Sequence, residues 1–327
     1  MQKITKLIAG VFCCAMFFSS SAYAAWLSDS QAIMGTSVTV ELWADDEPQG
    51  QRAMQAVFTE MRRIDKAMNP WDEHSELAAI NRQAAIAPVL ISQELVQIIS
   101  KALFYSQLSE GAFDISFASV SQFYNFRTGK KPSEQQRKAM QGAINYRNIQ
   151  LDENAKTLFF NDKRISIDLG GIAKGYAVDQ GVELLIKHGI ASAIVSAGGD
   201  SRILGDKHGK PWVMGIRHPR DKNKHALRIP LADTAISTSG DYERFFMEGD
   251  VRHHHIINPK TSYSAHAVQS VSVLANKAID SDALSTTVFV LGVSKGLALI
   301  NQLPGIDAII IDGQGLLHYS DELLMSQ

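Results

Sequence analysis

The segment Ile165-Ser-Ile-Asp-Leu-Gly-Gly-Ile-Ala-Lys-Gly-Tyr-Ala-Val-Asp179 constrains the fold more than any other stretch of this chain. It reads as a short β-strand, a carboxylate, a glycine pair and an amphipathic helix running to about residue 188, with Gly189 as its C-cap. That order predicts a tight turn whose helix N-terminus offers free backbone N–H groups to an anion. Neither common nucleotide loop, G-x-G-x-x-G or G-x-x-x-x-G-K-[ST], is present. An anion-binding turn of another kind is expected.

The elements around it mix helices and strands without a βαβ period. Thr36 to Trp43 alternates like a strand, and Ala53, Val57, Met61, Ile64 and Met68 mark a helix that stops before Pro70. A second helix starts after Ser92, buries Leu95, Ile98, Ile99 and Leu103, and ends near Gly111. Residues 130–142 read as a polar surface connection with some helix. Strands follow at 193–197, 212–216, 227–231 and 268–274, then a helix from about Asp280 to Leu291 and a late strand at 308–311 before Asp312-Gly313. This pattern predicts an α+β fold, as one domain over 25–327 with room for two subdomains.

The first 24 residues read as a cleaved signal peptide: Lys3 and Lys6, an apolar run from Leu7 to Phe18, and an A-x-A site at Ala22-Tyr-Ala24. The apolar run is shorter than the roughly 20 residues of a membrane span. Bulky Val11 and Phe12 ahead of Cys13 and Cys14 argue against lipidation. A soluble periplasmic protein is expected, and no later segment looks transmembrane. Cleavage removes both cysteines, so disulfide and thiolate chemistry drop out. It leaves 30 basic against 34 acidic residues with no basic tract, which speaks against a nucleic-acid partner.

Several clusters are suited to chemistry. Asp282 and Thr286 stand four apart, on one helix face, and supply two hard oxygen donors of the kind Mg²⁺ takes. The plain alternative is a helix first turn favouring an acid. Arg252-His-His-His255, read as a strand, points His253 and His255 one way and His254 the other. This run suits either a solvent-facing strand end or a single general acid–base near a phosphate. Thr238-Ser-Gly-Asp-Tyr242 reads as a turn in which Gly240 takes positive φ, and Gly198-Gly199-Asp200 as a turn after a strand. Trp71, in a polar loop, suits ring stacking or surface packing. Asp114 in Gly111-Ala-Phe-Asp114 suits a cap or a ligand equally.

Taken together, these segments resemble the ApbE family, the FAD:protein FMN transferases. The resemblance rests on Met34-Gly-Thr36, Ser75-Glu-Leu with Asn81, Gly111-Ala-Phe-Asp114, Asp168-Leu-Gly-Gly-Ile-Ala-Lys-Gly175, Gly198-Gly-Asp200, Thr238-Ser-Gly-Asp-Tyr242, His255-Ile-Ile-Asn-Pro-Lys-Thr261 and Asp282-Ala-Leu-Ser-Thr286, all in order. It implies a mixed helix-and-sheet, T-fold-like architecture with the FAD site in a cleft between the N- and C-terminal parts. It also implies Mg²⁺-dependent transfer of FMN from FAD to a threonine hydroxyl of a flavoprotein, with release of AMP. Acceptors in the family are subunits of membrane redox complexes. Some members instead hydrolyse FAD to FMN and AMP, and a non-catalytic FAD-binding protein is a third reading.

By position, the resemblance places the metal on the Ala173 carbonyl, Asp282 and Thr286. It places flavin contacts at Met34, Trp71, Ala112, Phe113, Asp114, Gly170, Lys174 and Ile257, and the catalytic base at His255. Trp71 stands where the family more often has tyrosine, Asn258 where it usually has aspartate and Ser262 where it usually has glycine. A pyrophosphate carries about two negative charges, which one divalent cation and helix N–H donors can stabilise without covalent catalysis.

Overall fold

The structure is a computed structural model and describes residues 24–325. The expected signal peptide, with both cysteines, lies outside the described residues except for Ala24.

One antiparallel sheet organises the molecule. Its eight strands are neighbours in strict chain order: β1 (Ala25–Ile33), β2 (Thr36–Ala44), β3 (Ala193–Ala197), β4 (Asp200–Leu204), β5 (Ala235–Gly240), β6 (Val268–Ala275), β7 (Asp307–Asp312) and β8 (Leu317–Tyr319). Apart from a short helix at Asp321–Met325 after the last strand, every other element is inserted between consecutive strands. The β2–β3 connection holds α1 (Glu47–Met68), α2 (Glu76–Gln83), α3 (Gln93–Leu108), a small three-stranded sheet and α4 (Ala173–Lys187). Between β4 and β5 lies the hairpin Trp212–His218/Asp221–Leu231, and between β5 and β6 the hairpin Phe245–Glu248/Val251–His254. The β6–β7 connection is α5 (Ala278–Ile300). The result is the α+β class: antiparallel pairing of successive strands needs no crossover helices, so none recur with a fixed period.

The two-residue side-chain period gives the sheet two buried faces. Val195, Ala197, Val271, Val273 and Ile310 join the main core with Val57, Met61 and Ile64 of α1, while Ile194, Ile203, Ile236, Leu274 and Ile309 pack under Trp212, Ile216 and Leu231 of the first inserted hairpin. On the main face α1 covers β1 and β2, α4 covers β3 and β4, and α5 covers β5 to β7. Burying each such aliphatic side chain contributes about 1.5–3 kcal/mol. The helix α5 is long and apolar enough to cross a membrane, with a mean hydropathy of 1.7, but it lies against the sheet and α4.

Three expectations change. Residues 165–169 form no strand: the alternation of Ile165, Ile167 and Leu169 is real and buried, but this backbone finds its partners outside any ladder. The Asn81 amide brackets Ile167, accepting from its N–H at 2.8 Å and donating to its carbonyl at 2.9 Å, while Ser166 N–H donates to Ser119 Oγ at 3.0 Å. Residues 238–240 end strand β5 instead of forming a turn, and Gly240 lies outside the positive-φ region. Helix α5 is also longer than expected. The predicted end at Leu291 is a break at Gly292 (φ 76°), and a second helical piece continues to Ile300.

Candidate active site

The site lies at one end of the sheet, where two hairpin turns meet. Met34 and Gly35 link β1 to β2, both with positive φ (54° and 66°), the pairing a type I′ turn needs. The Met34 N–H donates to Asp65 Oδ2 at 3.1 Å, and a hollow of about 510 Å³ opens beside it, bordered by Gly35, Thr36 and Asp65. Gly198 and Gly199 link β3 to β4 at the same end. A Cβ on Gly198 (φ 63°) would stand 2.7 Å from Thr36 Oγ1, and one on Gly199 would stand 2.5 Å from the Thr238 carbonyl. Only glycines let these turns nest, and the nesting delivers Asp200, 2% exposed, into the site.

The glycine turn before α4 then meets the first turns of α5. A Cβ on Gly175 would overlap the Ala278 carbonyl at 2.2 Å, so the helices touch backbone to backbone. The Gly175 N–H donates to Asp282 Oδ2 at 2.9 Å. A Cβ on Gly171 would lie 3.2 Å from the Phe113 ring and 3.5 Å from Thr286 Oγ1, which brings together three segments the sequence holds far apart. Helix α5 has no side-chain cap of its own. Asp179, from α4, caps it instead, accepting from Ala278 N–H and Ile279 N–H at 2.9 Å each.

The expectation of free N–H groups at the α4 N-terminus is corrected in part. Gly170 N–H donates to Asp168 Oδ1 at 2.7 Å, Ile172 and Ala173 N–H to the Leu169 carbonyl, and Gly175 N–H to Asp282. A buried carboxylate from another helix takes much of the place that an external anion was expected to fill.

Lys174 reaches back from this turn to hydrogen-bond Asp200, and its Nζ lies 3.7 Å from Asp282 Oδ1. Burial opposes the Lys174 charge, but Asp200 and Asp282 outweigh it and hold the ammonium above its usual range. Burial first, then the Asp200 charge, pushes the Asp282 carboxyl up to about 7. Thr286 Oγ1 stands 3.3 Å from Ser239 Oγ of β5, which also lies 2.9 Å from Ser285 Oγ. This oxygen-rich, charge-strained pocket fits a magnesium ion. Asp282 keeps one carboxylate oxygen outside the bond to Gly175, Thr286 offers a hydroxyl, and Ala173 lies in the chain between the contacts to Thr286 and Asp282. Among the described residues no group of three or more His, Cys, Asp or Glu could hold a metal.

His255 follows directly after strand Val251–His254, and its N–H donates to the Arg244 carbonyl at 3.1 Å. Its Nδ1 is buried with no partner among the described residues, a vacancy suited to a ligand hydroxyl. Burial, then the charge of Arg244, lowers its pKa to about 3, so the ring is neutral at ordinary pH. The strand ends at His254, and His253 and His254 are buried instead of solvent-facing. His254 is buried against Phe289, donating from Nε2 to the Ala265 carbonyl, and His253 stacks on Phe246.

The other expected contacts divide. Phe113 joins the cluster, and its neighbour Ala112 is buried. Asp114 acts as a cap: Oδ1 accepts from Ser116 N–H and Oγ, and Oδ2 from Tyr146 N–H. Ile257 is buried beside Val120 and Tyr124. Trp71 is 74% exposed on its loop, outside these contacts. Sequence reasoning missed Arg244 and the capping role of Asp179. Arg244 stands just after the Thr238–Tyr242 motif and Asp179 ends the Ile165–Asp179 segment, but neither has a spacing that announces its role.

The ApbE family model matches residues 34–310. The FAD:protein FMN transferase of Treponema pallidum is 34% identical over 87% of this chain and 84% of its own length, and that of Haemophilus influenzae is 30% identical over 89% of each. The crystal structure of the ApbE protein of Thermotoga maritima superposes with a TM-score of 0.85 at 30% identity, covering 92% of this chain and 99% of that one. The flavin transferase ApbE of Vibrio cholerae, at 24% identity and a TM-score of 0.81 over 93% of this chain and 99% of its own, shares the fold.

Proposed function

This chain belongs to the ApbE family, and we propose from that premise that it transfers the FMN moiety of FAD to a threonine hydroxyl of a target flavoprotein, releasing AMP. The observation that carries the reading is the junction of α4 and α5, where Asp282, Thr286, Lys174 and Asp200 gather beside the glycine turn. Relatives that match over most of the chain bear the name FAD:protein FMN transferase.

In the proposed reaction the threonine oxygen forms a bond to the phosphorus of the FMN half, and the bridging P–O bond of the pyrophosphate breaks, so AMP leaves with that oxygen. The hydroxyl proton passes to His255, whose neutral ring has a buried nitrogen with nothing else to bind. Asp282, Thr286 and the Ala173 carbonyl would hold Mg²⁺, which when bound would offset the charge growing on the departing phosphate. The Gly175 N–H fixes one Asp282 oxygen and Ser239 orients the Thr286 hydroxyl, so both donors are set before substrate arrives. Phe113 and the glycine turn shape the wall against which the dinucleotide lies.

The expected setting is the periplasm after signal-peptide removal, with a subunit of a membrane redox complex as acceptor. The test is direct: incubate the mature protein with FAD, Mg²⁺ and a candidate acceptor, and look for covalent flavin fluorescence. His255→Ala is expected to slow transfer about 10²–10⁴-fold while leaving FAD affinity near wild type. Lost affinity with an unchanged saturated rate would remove His255 from that role. Free FMN and AMP with no labelled acceptor would make the reaction a hydrolysis.

A further inference from the structure

Two cations stand at this site, and their situations differ. Lys174 is engaged by Asp200 and Asp282. Arg244 is exposed, and among the described residues its guanidinium makes no hydrogen bond or ion pair. Nearby arginines are all committed: Arg217 to Glu243, and Arg220 and Arg252 to Asp241.

The placement of Arg244 is fixed from two sides. Its carbonyl accepts the His255 N–H at 3.1 Å, so the residue stands at the foot of the hairpin that presents the catalytic ring. Its Nη2 lies 3.7 Å from where a Cβ on Gly35 would stand, which puts the guanidinium over the β1–β2 turn beside Met34. From there its charge acts on Asp168 of the glycine turn, on Lys174 and on His255. The site needs such a group. A doubly charged pyrophosphate entering beside Asp168, Asp200 and Asp282 gains from a cation that is not already paired. Lys174 is spent on its neighbouring carboxylates. A guanidinium carries five donors in a planar fork that matches two phosphate oxygens at once.

We infer that Arg244 binds the phosphate oxygens of the dinucleotide. The inference rests on the FMN-transfer reading for the identity of its ligand. It makes Arg244 the group that sets FAD affinity and aligns the scissile phosphate with His255, while Lys174 ties Asp200 to Asp282.

The test is FAD titration of the mature wild-type protein and of Arg244→Gln and Arg244→Lys, followed by flavin fluorescence from low to high salt. A charge-assisted hydrogen bond to phosphate corresponds to roughly a tenfold to hundredfold loss of affinity in Arg244→Gln. Its affinity is also expected to depend less steeply on salt, since one screened contact is gone, and Arg244→Lys should fall between the two. Because the side chain is exposed and unpaired, the free variants are expected to melt with wild type. Wild-type affinity in Arg244→Gln overturns the inference, and so does weakened binding with an unchanged salt dependence, which would mark a structural effect. Failure of the wild-type protein to bind FAD at all would overturn the transfer reading and this inference together.

Discussion

At the scale of single residues, Ser262 shows how a departure from a family's usual residue becomes a measurable strain. Its φ of 62° lies in the left-handed region, which costs a side-chain-bearing residue about 1–2 kcal/mol. The turn holds it there through Ser262 N–H to the Asn258 carbonyl at 2.8 Å. Glycine accepts this conformation freely but gives back part of the gain through its unfolded state, so Ser262→Gly is expected to stabilise the protein by about 0.5–1 kcal/mol, read as a higher urea midpoint. Asn258 is the milder departure, because its Oδ1 accepts Lys260 N–H at 2.9 Å, a bond aspartate would also make. Asp282 carries a second residue-scale prediction. Its carboxyl is pushed to about 7, above the roughly 3.9 of an unfolded aspartate. The folded metal-free protein therefore binds that proton more tightly than the unfolded chain. The resulting stability is complete below about pH 4 and is lost as pH rises through about 7. Without divalent cations, melting temperature is expected to fall over this window more in wild type than in Asp282→Asn, and saturating Mg²⁺ should narrow the gap. Residues of this kind were partly legible. Asp282 and Thr286 were named from their four-residue spacing, whereas the free guanidinium of Arg244 exists only because its neighbours pair elsewhere.

At the scale of elements, periodicity carried the regular parts. The stripe Ala53 to Met68 became α1 with those positions buried, and the alternation from Thr36 became β2. The glycine turn was harder for a physical reason. Its apolar alternation resembles a strand, yet its hydrogen-bond partners are Asn81, Ser119 and Ile115, and no local rule links those positions. The α5 cap shows the same limit: Asp179 sits 99 residues before Ala278 in the chain. The contact of α4 with α5 makes the sharpest element-scale prediction. A methyl group at Gly175 would have to occupy the space of the Ala278 carbonyl and approach Asp282 Cβ to 2.8 Å. Gly175→Ala is expected to force the helices apart, lowering stability by about 1–3 kcal/mol and displacing Asp282 from its position beside the turn. Thermal unfolding reads the first effect, and a raised Mg²⁺ requirement for transfer reads the second.

At the scale of the whole molecule, a meander of eight strands in chain order turns a string of weak motifs into one site. Sequential antiparallel pairing places the β1–β2 and β3–β4 turns at the same end of the sheet, and the insertions between later strands bring Arg244, His255 and α5 to it. The α+β class was readable from the absence of a βαβ period. The strand order was not, because a 148-residue excursion separates β2 from β3 and nothing in its composition marks the return. The resemblance named the participants, and the sheet explains why they meet. The most direct measurement is covalent flavin labelling of an acceptor by the mature protein with FAD, comparing wild type with Asp282→Asn, with Mg²⁺ and with the metal chelated. The account predicts a fluorescent acceptor modified at a threonine with wild type and Mg²⁺, and almost none when either the carboxylate or the metal is removed. Labelling that survives both removals would contradict it.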